Sequence, residues 1–235
     1  MSNELRLICV DLPAPPLFDK AAPDGTRTGY EPSAAELVAG VLGKTVRWVV
    51  TSWSDMVPAL QEGRGDGIWC GQGITPTRAK LVDFTRPYAI FDESVLVLAD
   101  SGIGSERGLA GKRVGAIAGS TNLALAETFT GVTTVPFDGA TDDVLGDMVQ
   151  ALRNGDVDAV VDDDVALVPL GEQVDLSVAF TVATRNRWGV SVAKGNDALR
   201  TDLDAALNKV IADGSLAAVW ARWMPTLPFP LTADE

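Results

Sequence analysis

Apolar residues fall along this chain in short runs whose spacing alternates between two periods, and glycine, proline or charge separates one run from the next. Leu5 to Val10 is a continuous apolar run and predicts a strand. Ser33 with Glu36 forms a capping-box pattern ahead of Leu37, Val38, Val41 and Leu42, which share one face of a helix that Gly43 ends. Val46 to Val50 predicts the next strand, Val114 to Ala118 another, and Leu123 to Phe129 a helix. Near the C-terminus, Leu199, Leu203, Leu207, Val210 and Ile211 lie on one helical face. A Gly-Ser break follows, and then a helix carries Trp220 and Trp223 as packing residues.

An internal echo organises these elements. Residues 55 to 68 (Asp-Met-Val-Pro-Ala-Leu-Gln-Glu-Gly-Arg-Gly-Asp-Gly-Ile) and 147 to 160 (Asp-Met-Val-Gln-Ala-Leu-Arg-Asn-Gly-Asp-Val-Asp-Ala-Val) agree at seven of fourteen positions. In each copy Met, Val and Leu at helical spacing precede a glycine stop, and a short link leads into an apolar strand: Gly67 to Cys70, then Ala159 to Val161. One αβ unit therefore occurs once in each half of the chain. Strands alternating with helices predict an α/β fold with parallel sheets, and in such sheets ligands bind beyond the carboxyl ends of the strands. A second lobe is expected to start near residue 104.

Composition narrows the chemistry. With 235 residues and 46% hydrophobic content, the chain is long enough for one large core or two small ones. No stretch approaches the ~18 to 20 apolar residues of a membrane helix, and the opening Met-Ser-Asn-Glu-Leu-Arg lacks the apolar core of a secretion signal. A net charge of −13 repels phosphate backbones, so nucleic acid is not an expected partner. The absence of histidine removes Ser-His-Asp and Cys-His nucleophile systems and histidine metal sites. Cys9 and Cys70 are too few for a zinc cluster; buried thiols or a disulfide both fit their apolar settings. No cofactor is expected.

The echo nominates two segments for a site. After the first strand comes Cys70-Gly71-Gln72-Gly73 through Arg78, offering backbone N–H groups and a guanidinium that suit a carboxylate. After the second comes Asp162-Asp163-Asp164, offering carboxylates that suit an ammonium. Facing one another, the two would grip a zwitterion. The bland alternatives are a surface arginine and a solvated aspartate turn.

Gly71-Gln72-Gly73-Ile74-Thr75-Pro76-Thr77-Arg78, followed by Val82-Asp83-Phe84-Thr85-Arg86-Pro87-Tyr88, resembles the signature of the polar amino-acid-binding proteins of bacterial ABC importers. Similarity continues through Gly29-Tyr30-Glu31, Trp53 to Leu60, Gly111 to Gly115, Gly119-Ser120-Thr121, Asp158 to Asp163 and Trp188-Gly189-Val190. The resemblance implies the type 2 periplasmic binding protein fold: two open parallel-sheet α/β lobes joined by two hinge strands. Lobe 1 would comprise residues 1–98 and 194–235 and lobe 2 residues 99–193, with hinges near 97–103 and 187–193. It implies a monomer outside the cytoplasm, where the residues alone fit either a chain whose signal has been removed or a cytoplasmic one, that closes around an amino acid in an interlobe cleft and delivers it to an ABC transporter permease, without membrane insertion. Two rivals share the fold: a dehydratase-like enzyme, with Asp11, Glu31 or Asp163 as its acid, and a solute-sensing module without transport.

Site residues carry over by position. The resemblance puts Arg78 on the ligand carboxylate, with backbone at Gly71. Gly73 stands where relatives have a hydroxyl residue, so one carboxylate bond is missing unless water or Thr121 supplies it. Ser120 and Thr121 meet the carboxylate at a helix start. Asp163 binds the ammonium, flanked by Asp162 and Asp164. Asp11 touches the ligand side chain and Trp53 stacks on it, whereas Ala14 replaces a second stacking aromatic. Trp69 and Gln72 are candidates to reshape the pocket. A tryptophan face with an acid nearby favours a polar or basic side chain.

Overall fold

The computed structural model describes residues 3–141 and 143–232. The chain forms two compact units, Met1–Ile90 with Arg187–Glu235, and Phe91–Asn186. The outermost residues of the expected lobe 1 lie outside the described residues.

The first segment of unit 1 gives β1 (Glu4–Cys9), α1 (Tyr30–Val41), β2 (Thr45–Val50), α2 (Met56–Gln61) and β3 (Gly67–Ile68), and leaves the unit inside β4 (Val82–Leu98). Unit 2 continues with β5 (Arg113–Ile117), α3 (Thr121–Ala126), β6 (Thr133–Phe137), α4 (Val144–Asn154), β7 (Ala159–Asp163) and α5 (Asp164–Leu170). The chain returns to unit 1 inside β8 (Leu176–Ala193) and ends in α6 (Asp197–Ala212) and α7 (Ser215–Trp223). Both crossings fall inside unbroken strands: the one after Ile90 precedes the hinge expected near 97–103, and the one after Asn186 falls at the start of that expected near 187–193. Sequence punctuation at Gly102 and Gly195 marks where the strands end, and the crossings precede it.

In each unit a central strand has parallel neighbours on both sides: β1 between β2 and β3, and β5 between β6 and β7. The crossing strands pair antiparallel, β8 with β3 at Gly67↔Val192 and β4 with β7 at Glu93↔Asp163, so each sheet is mixed where a purely parallel one was expected.

The echo is structural. Each copy is a helix, a glycine with positive φ (Gly63, +73°; Gly155, +76°) and a strand parallel to the central one. The shared aspartate before the strand makes the same staple twice. Asp66 Oδ2 accepts from the backbone N–H of Arg6 at 2.8 Å while Oδ1 takes Arg6 Nη2 at 2.7 Å. Asp158 Oδ2 likewise accepts from the N–H and Nε of Arg113, at 2.8 and 3.1 Å. The first strand is shorter than expected, two residues where Gly67 to Cys70 was predicted, although Trp69 N–H still donates to Ile8 O.

The capping-box expectation is corrected. Helix α1 begins at Tyr30 behind Gly29, and Ser33 lies within it, its hydroxyl accepting from Trp223 Nε1 at 3.0 Å. Pro32 is tolerated in the first turn, where its missing N–H would have had no partner in any case. Trp220 is buried against Tyr30, rings 5.3 Å apart, as the packing reading requires.

Alternation along the unit 2 strands makes two cores. Val95, Val97, Ala159 and Val161 face one side with Leu109, Ala126 and Phe129, while Leu96 and Val160 face the other with Met148, Leu152 and Leu167. Each valine, leucine, methionine and phenylalanine among them contributes about 1.5–3 kcal/mol on burial. Cys9 and Cys70 are buried free thiols, and burial pushes the Cys9 thiol up to about 12. Among the described residues no helix is long and apolar enough to cross a membrane.

Candidate functional site

In unit 1 the segment after β3 turns back on itself. Gly71 has φ +61°, and a Cβ there would come within 3.2 Å of the Trp188 ring, so backbone conformation and space both call for glycine. Ile74 N–H donates to Arg187 O at 2.8 Å, and Arg78 N–H caps back onto Thr75 Oγ1 at 3.2 Å. These bonds bring three expected residues together: Arg78 Nη1 donates to Gly73 O at 3.0 Å, and its guanidinium lies over the Trp53 ring, 5.7 Å from the centroid. A guanidinium held on an aromatic face keeps its planar fork oriented for a carboxylate.

The N–H of Gly71, expected to assist at the carboxylate, donates instead to Glu31 Oε2 at 3.2 Å and to the Tyr88 hydroxyl at 3.1 Å. Glu31 is 2% exposed, and burial pushes its carboxyl up to about 8, against the lowering effect of Tyr88 and the Gly71 N–H. Asp11 sits at the end of β1 with Oδ1 accepting from Ala21 N–H (2.8 Å) and Arg27 Nη1 (3.0 Å). Arg27 is itself buried, donates to Val10 O, and lies near the rings of Phe18 and Trp48. The acid at this position thus carries its own counter-charge. Trp69 and Gln72 belong to the interior: Trp69 is 1% exposed and packs on Tyr88, and Gln72 Oε1 accepts from Ser191 Oγ.

In unit 2, Ser120 is the N-cap of α3. Its hydroxyl accepts from Leu123 N–H at 3.1 Å and donates to Ile117 O at 2.6 Å. Thr121 opens the helix, and its hydroxyl accepts from Asn186 Nδ2 at 3.4 Å. Asp163 ends β7. Its Oδ1 is buried without a hydrogen-bond partner, although the residue as a whole keeps a partly exposed edge. Burial raises its carboxyl well above the usual range, the charges of Asp162, Glu93 and Asp164 raise it further, and the Asn122 side chain alone works the other way. Asp162, expected as a flanking solvent or supporting group, is buried and accepts from Asp163 N–H at 2.8 Å. Asp164 Oδ1 accepts from Val165 N–H.

Sequence reading missed Glu93. It is 1% exposed, lies opposite Asp163 in the β4–β7 ladder and neighbours Thr121, Thr184 and Asn186. The signal was available: Glu93 is one acid in a strand that is otherwise largely apolar beyond it, Ser94-Val95-Leu96-Val97-Leu98. Arg27 and Tyr88 were missed as well, and nothing local in the sequence marks them.

Comparison with known proteins is consistent across the chain. The model for "Bacterial extracellular solute-binding proteins, family 3" matches residues 7–226. The "Putative ABC transporter arginine-binding protein 2" of Escherichia coli (strain K12) is 27% identical over 216 residues, 88% of this chain and 86% of that protein. The "L-cystine-binding protein TcyJ" of the same organism is 31% identical over 214 residues, 88% and 78% of the respective lengths. Among solved structures, "An ancestral arginine-binding protein bound to arginine" is 28% identical with a TM-score of 0.83, covering 95% of this chain and 99% of that one.

Proposed function

We propose a function that starts from membership: the chain belongs to the bacterial extracellular solute-binding proteins, family 3, and it binds an amino acid outside the cytoplasm for delivery to an ABC importer. Relatives named for arginine and cystine binding support an amino acid as the ligand class. Unit 1 supplies the carboxylate half, with the Arg78 fork held on Trp53. Unit 2 supplies the ammonium half, Asp163, with Ser120 and Thr121 near the start of α3. Hinge closure within β4 and β8 brings both halves onto one ligand. Asp11, already paired with Arg27, accepts from a polar side chain without adding net negative charge. The protein works as a monomer and binds without catalysing a reaction.

The observation that carries this reading is the Asp163 Oδ1 atom, buried at a strand end with no well-formed hydrogen bond and only the Asn122 amide beside the carboxyl. A buried acceptor of this kind is costly unless a donor arrives to satisfy it, and a ligand ammonium is such a donor. The test is a thermal-shift screen of the twenty standard L-amino acids and L-cystine, followed by calorimetry on Arg78→Ala. Loss of one charge partner in a buried site costs about 2–5 kcal/mol, so binding of the best ligand should weaken by at least about 30-fold. No shift with any amino acid at millimolar concentration refutes the reading, as does an Arg78→Ala variant within twofold of the parent.

A further inference from the structure

Unit 2 contains more negative charge at its candidate ammonium position than one aspartate accounts for. Glu93 and Asp163 are direct partners across the antiparallel β4–β7 ladder, and Cβ atoms of such partners lie about 4.5–5.5 Å apart. Each carboxylate has a buried oxygen with no hydrogen-bond partner, Glu93 Oε1 and Asp163 Oδ1. The donors beside them are few and poorly aligned: Asn122 Nδ2 faces Asp163 and Thr184 Oγ1 faces Glu93, each lowering the pKa of the carboxyl it faces without making a well-formed hydrogen bond. Native interiors leave few carboxyl oxygens so weakly satisfied, and here two of them face each other across one ladder.

The surrounding charges do not resolve the surplus. Asp92, Asp162 and Asp164 add negative charge from β4, β7 and α5. The cation of the adjoining strand, Arg185, follows Thr184, and its backbone N–H donates to Asp92 Oδ1 at 2.9 Å. The ion pairs of unit 2 join Arg113 to Asp158 and Arg153 to Asp175, and among the described residues none includes Glu93 or Asp163. A metal is not the missing partner, because no group of acidic or cysteine side chains among the described residues is arranged to hold one. A primary ammonium is different: it carries three N–H donors and one positive charge, enough to bond two carboxylates at once.

We propose that Glu93 is the second carboxylate of the ammonium pocket, so that the amino group of the ligand is shared between Glu93 on β4 and Asp163 on β7. The assignment rests on the reading of Asp163 given under the proposed function. It makes Glu93 a specificity-determining residue: the pocket selects an ammonium with at least two N–H donors, an N,N-dialkylated analogue keeps one of the two bonds, and a deaminated analogue loses both. It also places one of the two contacts on β4, a strand that itself continues into unit 1.

The experiment is a double-mutant cycle. Titration calorimetry on the wild-type protein, Glu93→Gln, Asp163→Asn and the double variant uses the amino acid that gives the largest thermal shift in the screen above. Glu93→Gln should weaken binding about 10- to 100-fold, as expected for one charge-assisted hydrogen bond. In the double variant the loss should fall short of the product of the single losses by at least about fivefold, because both substitutions act on one ammonium. Unliganded Glu93→Gln should melt no lower than wild type, since the substitution removes a buried charge; a merely structural glutamate would lower it. Multiplicative losses, or a Glu93→Gln variant that binds within twofold of wild type, overturn the proposal. If no amino acid binds the wild-type protein, the proposed function fails before this inference is reached.

Discussion

Replacing Glu31 with glutamine should make this protein more stable, by an amount that grows with pH. The carboxyl is buried in unit 1, and its ionised form gains only the Tyr88 hydroxyl (2.9 and 3.0 Å) and the Gly71 N–H (3.2 Å) in exchange for lost hydration. Burial prevails, and the group titrates at about 8 instead of an ordinary 4.5. A carboxyl raised in the folded state holds a proton that the unfolded chain has already released. Its contribution is therefore fully present below about 4.5 and is lost as pH rises through about 8. Each pH unit across that window is worth about 1.4 kcal/mol, so the gap between wild type and Glu31→Gln should reach on the order of 4 kcal/mol by pH 8.

Glutamine suits this test because it mimics the protonated acid. Its amide oxygen can still accept from Gly71 N–H, and its amide NH2 can donate to the Tyr88 oxygen. Urea denaturation followed by circular dichroism at pH 5, 6, 7 and 8 measures the effect. The two proteins should nearly coincide at pH 5 and separate steadily above it, with a melting-temperature gap of about 10 °C at pH 8 for a chain of this size. Midpoints that move in parallel across the range would show that Glu31 is ionised in the folded state and that its hydrogen bonds outweigh its desolvation.

Two further outcomes follow from local geometry. Gly29→Ala should cost more than about 3 kcal/mol, because φ is +126° there and a Cβ would lie 2.2 Å from Leu17 O; the loss of stability is read by thermal melting. Asp163→Asn should weaken ligand binding by at least about 30-fold while Asp164→Asn, whose carboxylate caps Val165 N–H, should stay within about threefold; equal losses in calorimetry would mean that the ammonium position lies elsewhere on the aspartate run.

Much of the architecture was legible because it is written in local pattern. The repeated Met-Val-x-Ala-Leu helix, its glycine stop and the following strand were readable as one αβ unit used twice, and the staples Asp66–Arg6 and Asp158–Arg113 give the shared aspartate its physical reason. What local pattern could not give is the partner across a sheet. A capping box at Ser33 is a sound reading of four residues, yet the fold begins the helix one turn earlier, where Gly29 passes within contact of the Leu17 backbone and Ser33 receives the Trp223 indole from the other end of the chain. Likewise Asp11 reads as an open acid until Arg27 is seen to be folded onto it.

Glu93 and Glu31 show how such long-range partners could be sought in a sequence. Each is an acid in a segment whose other residues are bound for the interior, and burying an unpaired carboxylate is expensive enough that a chain keeps one only with a compensating interaction or a proton. Glu31 meets that demand within the fold, with Tyr88, the Gly71 N–H and a raised affinity for its proton. Glu93 keeps an oxygen without a partner, next to a second such oxygen on Asp163. The same sequence signal therefore separates, once partners are counted, into a carboxyl whose hydrogen bonds are met within the fold and one that, facing Asp163, is left to hold a proton or to receive a ligand's donors.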